Sequence, residues 1–121
     1  MFMKKKNTIR QKSLDFAIRI VNLSKYLNDD KKENVLNRQI LKSGTSIGAN
    51  VREAENAEST ADFIHKLSIS QKESNERLYR LELLHATNYI SAREFESIFN
   101  DGSQIYAMIT RSILSNKKKK N

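Results

Sequence analysis

The sequence predicts an all-α protein, folded as an antiparallel up-down-up-down four-helix bundle. Three observations lead there. The 121-residue chain has no proline and three glycines, so little in it interrupts a helix or builds the tight turns of a β fold. Apolar residues recur at spacings of three and four through four segments of roughly 20–27 residues each. Ser59 with Asp62 and Ser91 with Glu94 read as capping boxes, with the hydroxyl three residues ahead of the acid. Links this short leave successive helices antiparallel. One domain is expected, with the bundle over residues 8–116, a basic tail at 1–7 and a Lys-rich tail at 117–121.

Helix one is expected over about residues 8–27. Ile9, Phe16, Ile20, Leu23 and Leu27 form one apolar stripe. Leu14, Ile18 and Val21 form a second, about 145° around the helix at 100° per residue. A four-helix core has no evident place for this second stripe, so it is the candidate oligomer interface. The alternative is a broad core-facing helix with scattered surface apolars. The sequence NDDKKEN makes the first connection.

Helix two is expected over about residues 34–57, with Leu36, Ile40, Gly44, Ile47, Val51 and Ala54 on its apolar side. Gly44 lies within that stripe. A glycine there lowers helix stability by about 1 kcal/mol against alanine, which suggests a close helix–helix approach. Helix three is expected over about 61–87 with Phe63, Leu67, Ser70, Ser74, Leu78, Leu81 and His85 on one face, and the two serines again favour close packing. Helix four is expected over about 92–116, with Phe95, Ile98, Phe99, Gly102, Ile105, Tyr106, Ile109 and Ile113 inward. Asn100-Asp101-Gly102-Ser103 has turn composition, but the apolar period passes through it in phase, so one helix is expected.

Beside the apolar stripe of helix two runs a polar seam: Gln39, Ser43, Ser46, Asn50 and Glu53. Spacings of four and three place all five on one side. Short neutral hydrogen-bonding groups ending in one carboxylate suit a semi-buried seam, in which each group finds a partner. Asn50 and Glu53 are therefore expected to be at least half buried and bonded across helices or subunits. The seam either sets packing register or meets another subunit or a ligand.

These residues carry a family resemblance. QILKSGTSIGANVREA at 39–54, DFIHKLSIS at 62–70 and KESNERLYRLELL at 72–84 resemble the family called four-helix-bundle proteins. That family includes proteins encoded within intervening sequences of bacterial 23S ribosomal RNA genes and is related to accessory proteins of diversity-generating retroelements. The most specific positions are Ser43, Ser46, Ile47, Asn50, Glu53, Phe63, Leu67 and Glu76. The resemblance covers roughly residues 9–115 and implies an antiparallel four-helix bundle. It also implies homo-oligomers, a pentamer foremost, with no established enzymatic activity and with nucleic-acid binding in the retroelement branch. Many members have a glycine after the Asn-x-x-Glu region. Ala54 and Glu55 stand there in this chain, which suggests a longer helix two.

Charge is distributed unevenly. Of the net +8, Lys4, Lys5, Lys6, Arg10 and Lys12 lie in the first twelve residues, and Lys117, Lys118, Lys119 and Lys120 close the chain. Residues 13–116 hold 13 basic and all 14 acidic side chains, a balance of −1. Basic ends attract polyanions, and without interleaved aromatics they would do so through phosphates, with strong salt dependence. These nine residues are the candidate nucleic-acid contacts, with RNA the foremost partner. The alternative is that they serve solubility alone, in a scaffold module with no nucleic-acid role.

Several chemistries find no support. With no cysteine there is no disulfide, thiol nucleophile or thiolate metal site. No apolar run approaches a membrane span and no signal peptide is evident, so a cytoplasmic protein is expected, without membrane association. Asp62-x-x-His65 and Glu82-x-x-His85 each resemble half of a di-iron site, but they lie about 30 Å apart on one helix. Arg80-x-x-x-x-His85 matches the loose spacing of helical metal-independent RNases. Leu81 follows the arginine where a polar residue is usual, and the two side chains diverge by about 140°. The expectation is no enzymatic activity, no metal and no cofactor, with a metal-independent RNase as the remote alternative.

Overall fold

The computed structural model describes residues 8–29 and 35–120. Lys4, Lys5 and Lys6 lie outside the described residues, as do the side chains of Leu36, Lys119 and Lys120. Four helices follow one another: α1 (Ile9–Asp29), α2 (Val35–Glu55), α3 (Thr60–Ala86) and α4 (Ala92–Lys120). Each packs on its neighbours in the cyclic order α1–α2–α3–α4, and the α1–α4 seam is the sparsest. This is the expected all-α four-helix bundle.

Local chemistry sets the helix ends. Thr8 opens α1, its Oγ1 accepting from the Gln11 amide at 3.0 Å. Ser59 accepts from the Asp62 amide at 3.0 Å, and Ser91 from the Glu94 amide at 3.1 Å, so both capping boxes start helices where the sequence places them. Helix α2 stops at Glu55, two residues short of expectation. The amides of Asn56 and Ala57 turn to the carbonyls three residues back, which closes the helix before Ser59 starts the next. Helix α3 ends in a Schellman motif: Asn88 adopts φ 67°, its amide donates to the His85 carbonyl, and the Tyr89 amide donates to that of Leu84.

Helix α4 runs through Asn100–Ser103 without a break and then through the terminal lysines to Lys120, beyond the expected end at 116. Lysine is a good helix former. Cations in a last turn also face the negative end of the helix dipole, so nothing in the sequence stops the helix earlier.

The core joins the stripes. Phe16, Ile20 and Leu27 from α1 pack with Ile40 and Ile47 from α2, Leu67, Leu81 and Leu84 from α3, and Ile105, Ile109 and Ile113 from α4. Gly44 and Gly48 of α2 face α1 and differ in consequence. A Cβ at Gly44 would stand 2.7 Å from Cγ2 of Ile20, an atom on a stiff β-branched side chain. A Cβ at Gly48 would meet Ser13 at ordinary contact distances, its Oγ nearest at 3.5 Å. Gly48→Ala is thus expected to stabilise the fold by up to about 1 kcal/mol through helix propensity. Gly44→Ala is expected to destabilise it by about 1–3 kcal/mol through overpacking. Urea unfolding of the two variants measures both.

Candidate functional site

The centre of the bundle holds a cation. Arg77 of α3 is 0% exposed, and its guanidinium carbon lies 3.7 Å from the centroid of the Phe16 ring on α1. On the α4 side, a Cβ at Gly102 would stand 2.8 Å from Nη2 of Arg77, so the glycine makes room for the guanidinium. Among the described residues, Nε, Nη1 and Nη2 of Arg77 find no acceptor for their hydrogens, and the buried Oγ of Ser74 one turn earlier has no hydrogen-bond partner. Burial pushes the Arg77 guanidinium down to about 9, which leaves it a cation at neutral pH. Sequence reasoning missed this residue. Its signal was a strict period, since Ser70, Ser74, Arg77, Leu81 and Leu84 are spaced 4, 3, 4, 3 and all are buried. Reading the stripe through Leu78 instead avoided placing a charge in the core.

The polar seam projects toward α3. Within the chain, its hydroxyl and amide donors turn back on their own helix: Ser43 to the Gln39 carbonyl at 3.1 Å, Ser46 to that of Lys42 at 2.7 Å, and Asn50 to that of Ser46 at 3.0 Å. Ser43 is buried, Ser46 and Asn50 are half-buried, and Gln39 is exposed. Glu53 departs from expectation. Its side chain is 57% exposed, because it reaches outward to Lys66 of α3, with Oε1 and Nζ 3.0 Å apart. That hydrogen bond, followed by the attraction of the carboxylate, holds the Lys66 ammonium above its usual value. The interhelical tie in the interior is instead Ser70, whose Oγ donates to the Ile47 carbonyl at 2.9 Å. Further along the same seam, Gln39, Lys42 and Ser43 face Glu73, Glu76 and Arg80 across an open groove of about 250 Å³.

The second α1 stripe stands on the surface, with Ile18 52% exposed and Leu14 and Val21 beside it. Ala17, Thr45, Gly48 and Ala49 continue this low surface onto α2, between Arg10 and Arg52. Among the candidate phosphate contacts, Arg10 lies 3.4 Å from Glu55, Lys12 reaches Gln104 of α4 at 3.4 Å, and Lys117 and Lys118 are exposed. The structure therefore carries Arg10 and Lys12 on the first turns of α1 and the C-terminal lysines on the last turns of α4.

The histidine pairs do not converge. His85 stacks on Phe95 with ring centroids 4.7 Å apart, and its Nδ1 lies 3.4 Å from the Ile90 carbonyl, at the α3–α4 turn. His65 is exposed in the second turn of α3, near its other end. Among the described residues, no group of three or more His, Asp or Glu side chains could hold a metal ion, and no helix is long and apolar enough to cross a membrane.

Fold and seam together define an antiparallel helical bundle with a polar line between its second and third helices. The family model for the 23S rRNA-intervening sequence protein matches residues 5–111, and the chain belongs to that family. A solved relative is a protein of unknown function from the S23 ribosomal protein family of Bacteroides thetaiotaomicron VPI-5482. It is 55% identical to this chain, covers 88% of it and 98% of its own length, and has a TM-score of 0.87. No curated protein matches the chain.

Arg77 yields a direct test of what the core tolerates. Arg77→Met keeps much of the length and removes the charge, so it is expected to leave stability unchanged or raise it by about 1–4 kcal/mol. Arg77→Ala also opens a cavity and is expected to be less stable than Arg77→Met by about 2–4 kcal/mol. Chemical denaturation with an unchanged slope in denaturant reports both.

Proposed function

We propose that this protein is a non-enzymatic, homo-oligomeric helical bundle that binds the phosphate backbone of RNA. The observation that carries the reading is the charge geography. Nine basic side chains lie toward the two ends, while residues 13–116 balance to −1. Lys117 and Lys118 stand exposed on the last turns of α4. The matched family's description refers to the 23S rRNA intervening sequence, which fits an RNA setting. Lys4, Lys5, Lys6, Arg10, Lys12 and Lys117–Lys120 supply the contacts in this reading. The absence of cysteine fits a cytoplasmic setting.

Self-association is the other half of the reading. Leu14, Ile18 and Val21 form an exposed apolar strip with low residues of α2 beside it. Covering such a strip with a second copy buries surface that a lone bundle leaves wet. A pentamer, which the family resemblance favours, would array the charged ends of five chains and make weak contacts cooperative. One observation favours a scaffold without RNA: the C-terminal lysines sit where they stabilise the α4 dipole, a role that needs no ligand.

Light scattering at high micromolar concentration is expected to show a species several times the 14.0 kDa monomer. Ile18→Lys is expected to dissociate it with helicity largely intact. A wild-type monomer would end the oligomer reading. RNA affinity is expected to fall linearly with salt on logarithmic axes, by about 0.7–0.9 per phosphate neutralised. Removing residues 1–6 and 117–121 is expected to flatten that slope for all sequences alike. Absence of binding at low salt would leave the scaffold, and RNA cleavage abolished by His85→Ala would reinstate the RNase.

A further inference from the structure

Among the described residues, the large hydrophobic side chains left exposed fall in three places. Leu14, Ile18 and Val21 form the α1 strip, Tyr79 stands alone on α3, and Leu114 stands alone on α4. A contact between copies can use the strip in two ways. It can meet the same strip about a two-fold axis, or it can meet a different patch of the next chain and build a ring or a filament.

Beside the strip lies a socket. Ala17 of α1 and Gly48 and Ala49 of α2 line a groove of about 240 Å³, together with Ser13, Leu14 and Thr45. Its two hydroxyls are already engaged. Ser13 donates to the Arg10 carbonyl at 3.0 Å and Thr45 to that of Leu41 at 2.8 Å, so each serves its own helix. The socket thus asks little of an occupant beyond apolar surface. Arg10 and Arg52, both exposed, border it. Arg10 is engaged by Glu55 at 3.4 Å, whereas Arg52 makes no ion pair among the described residues.

Tyr79 has the shape and charge to fill this socket. Lys72, Asn75, Tyr79, Glu82 and Ala86 follow at spacings of 3, 4, 3 and 4 along α3, and all five are exposed. Tyr79 is the one aromatic in the line and is 58% exposed. Arg80 stands beside the ring with its guanidinium carbon 6.0 Å from the centroid, at the outer limit of a cation–π contact. Glu82 is next in the line and Glu76 lies one turn back on the α2 flank, and neither forms an ion pair among the described residues. Leu114 differs, because its exposed neighbours one turn either way are Arg111 and Lys118. Docking Leu114 would bring cations toward Arg52, and docking Tyr79 would bring carboxylates.

We propose that Tyr79 of one chain seats in the α1–α2 groove of a second copy, with Glu76 and Glu82 facing Arg52. The proposal rests on the self-association reading above and names both halves of the contact. Tyrosine suits such a place, since it covers a large area while only two torsions are fixed, and its hydroxyl can stay at the wet rim. Knob and socket are different patches, so the contact runs head to tail and each chain offers one of each.

The test uses the full chain, with mass followed by light scattering and with helicity and melting temperature as controls. Tyr79→Ala removes the knob, and Ala49→Arg obstructs the socket at an exposed position. Each alone is expected to weaken self-association by about 30-fold or more, as loss of a buried aromatic anchor does. Tyr79→Phe is expected to assemble like the wild type, because the ring fills the groove. The Tyr79→Ala chain keeps its socket and the Ala49→Arg chain keeps its knob. Mixed in equal amounts, they are expected to form a one-to-one pair of twice 14.0 kDa. If the wild type assembles and Tyr79→Ala assembles equally well, the proposal is overturned while the oligomer reading stands. If both variants are monomers and the mixture forms no pair, the contact is not head to tail and the proposal is likewise overturned. If the wild type is a monomer at high micromolar concentration, both fall.

Discussion

The interior is organised around one buried guanidinium. Arg77 enters from α3, lies against the face of Phe16 on α1 and needs the missing side chain of Gly102 on α4. Three of the four helices are thereby fixed relative to one another at a single level of the bundle. The arrangement is not an efficient source of stability. A desolvated cation–π contact contributes about 2 kcal/mol, whereas taking an ion out of water opposes folding by several. The surrounding aliphatic core, from Ile20 to Ile113, therefore has to outweigh the charge it encloses. What Arg77 supplies is position, since only one register of α4 puts a glycine opposite it.

The same logic extends to the other seams, most of which close on a small residue. Gly44 lets α2 approach Ile20 of α1, and Ser13 meets Gly48 one turn away. Ser70 brings α3 against α2 closely enough to bond the Ile47 carbonyl. Gly102 admits Arg77 between α3 and α4. The α1–α4 seam has no such contact among the described residues and is the sparsest. At its rim, Arg19 and Asp101 approach to 2.6 Å, and Lys12 reaches Gln104. Small residues permit dispersion contact along the whole helix, while an exposed ion pair contributes about 0–1 kcal/mol. The bundle is thus expected to open first between α1 and α4.

Periodicity made much of this legible in advance. Apolar spacing located all four helices, and capping chemistry fixed two of their starts to within a residue. Gly44 announced a close approach because a glycine inside an amphipathic stripe needs a steric reason. The failures have physical causes too. Arg77 was passed over because its charge argues against burial more strongly than its spacing argues for it. Glu53 shares the spacing of a buried seam, yet a long side chain with an outward cation nearby extends to it and leaves the seam. The Schellman turn at Asn88 depends on a positive φ that asparagine tolerates but does not demand. The C-terminal lysines read as a tail on composition alone, and only continuity with α4 makes them helical.

Surface charge follows from which partners geometry brings within reach. Glu53 lies next to Arg52 in sequence but projects toward α3, where Lys66 waits. Glu55 projects toward α1, where Arg10 lies. The acids of α2 are thus drawn to its two flanks by neighbouring helices, and its cations remain on the outward line between them. Ion pairs thus gather along the seams of α2, where neighbouring helices bring opposite charges within reach. The amphipathic pattern that buries one side of α2 also decides which of its charges meet a neighbouring helix.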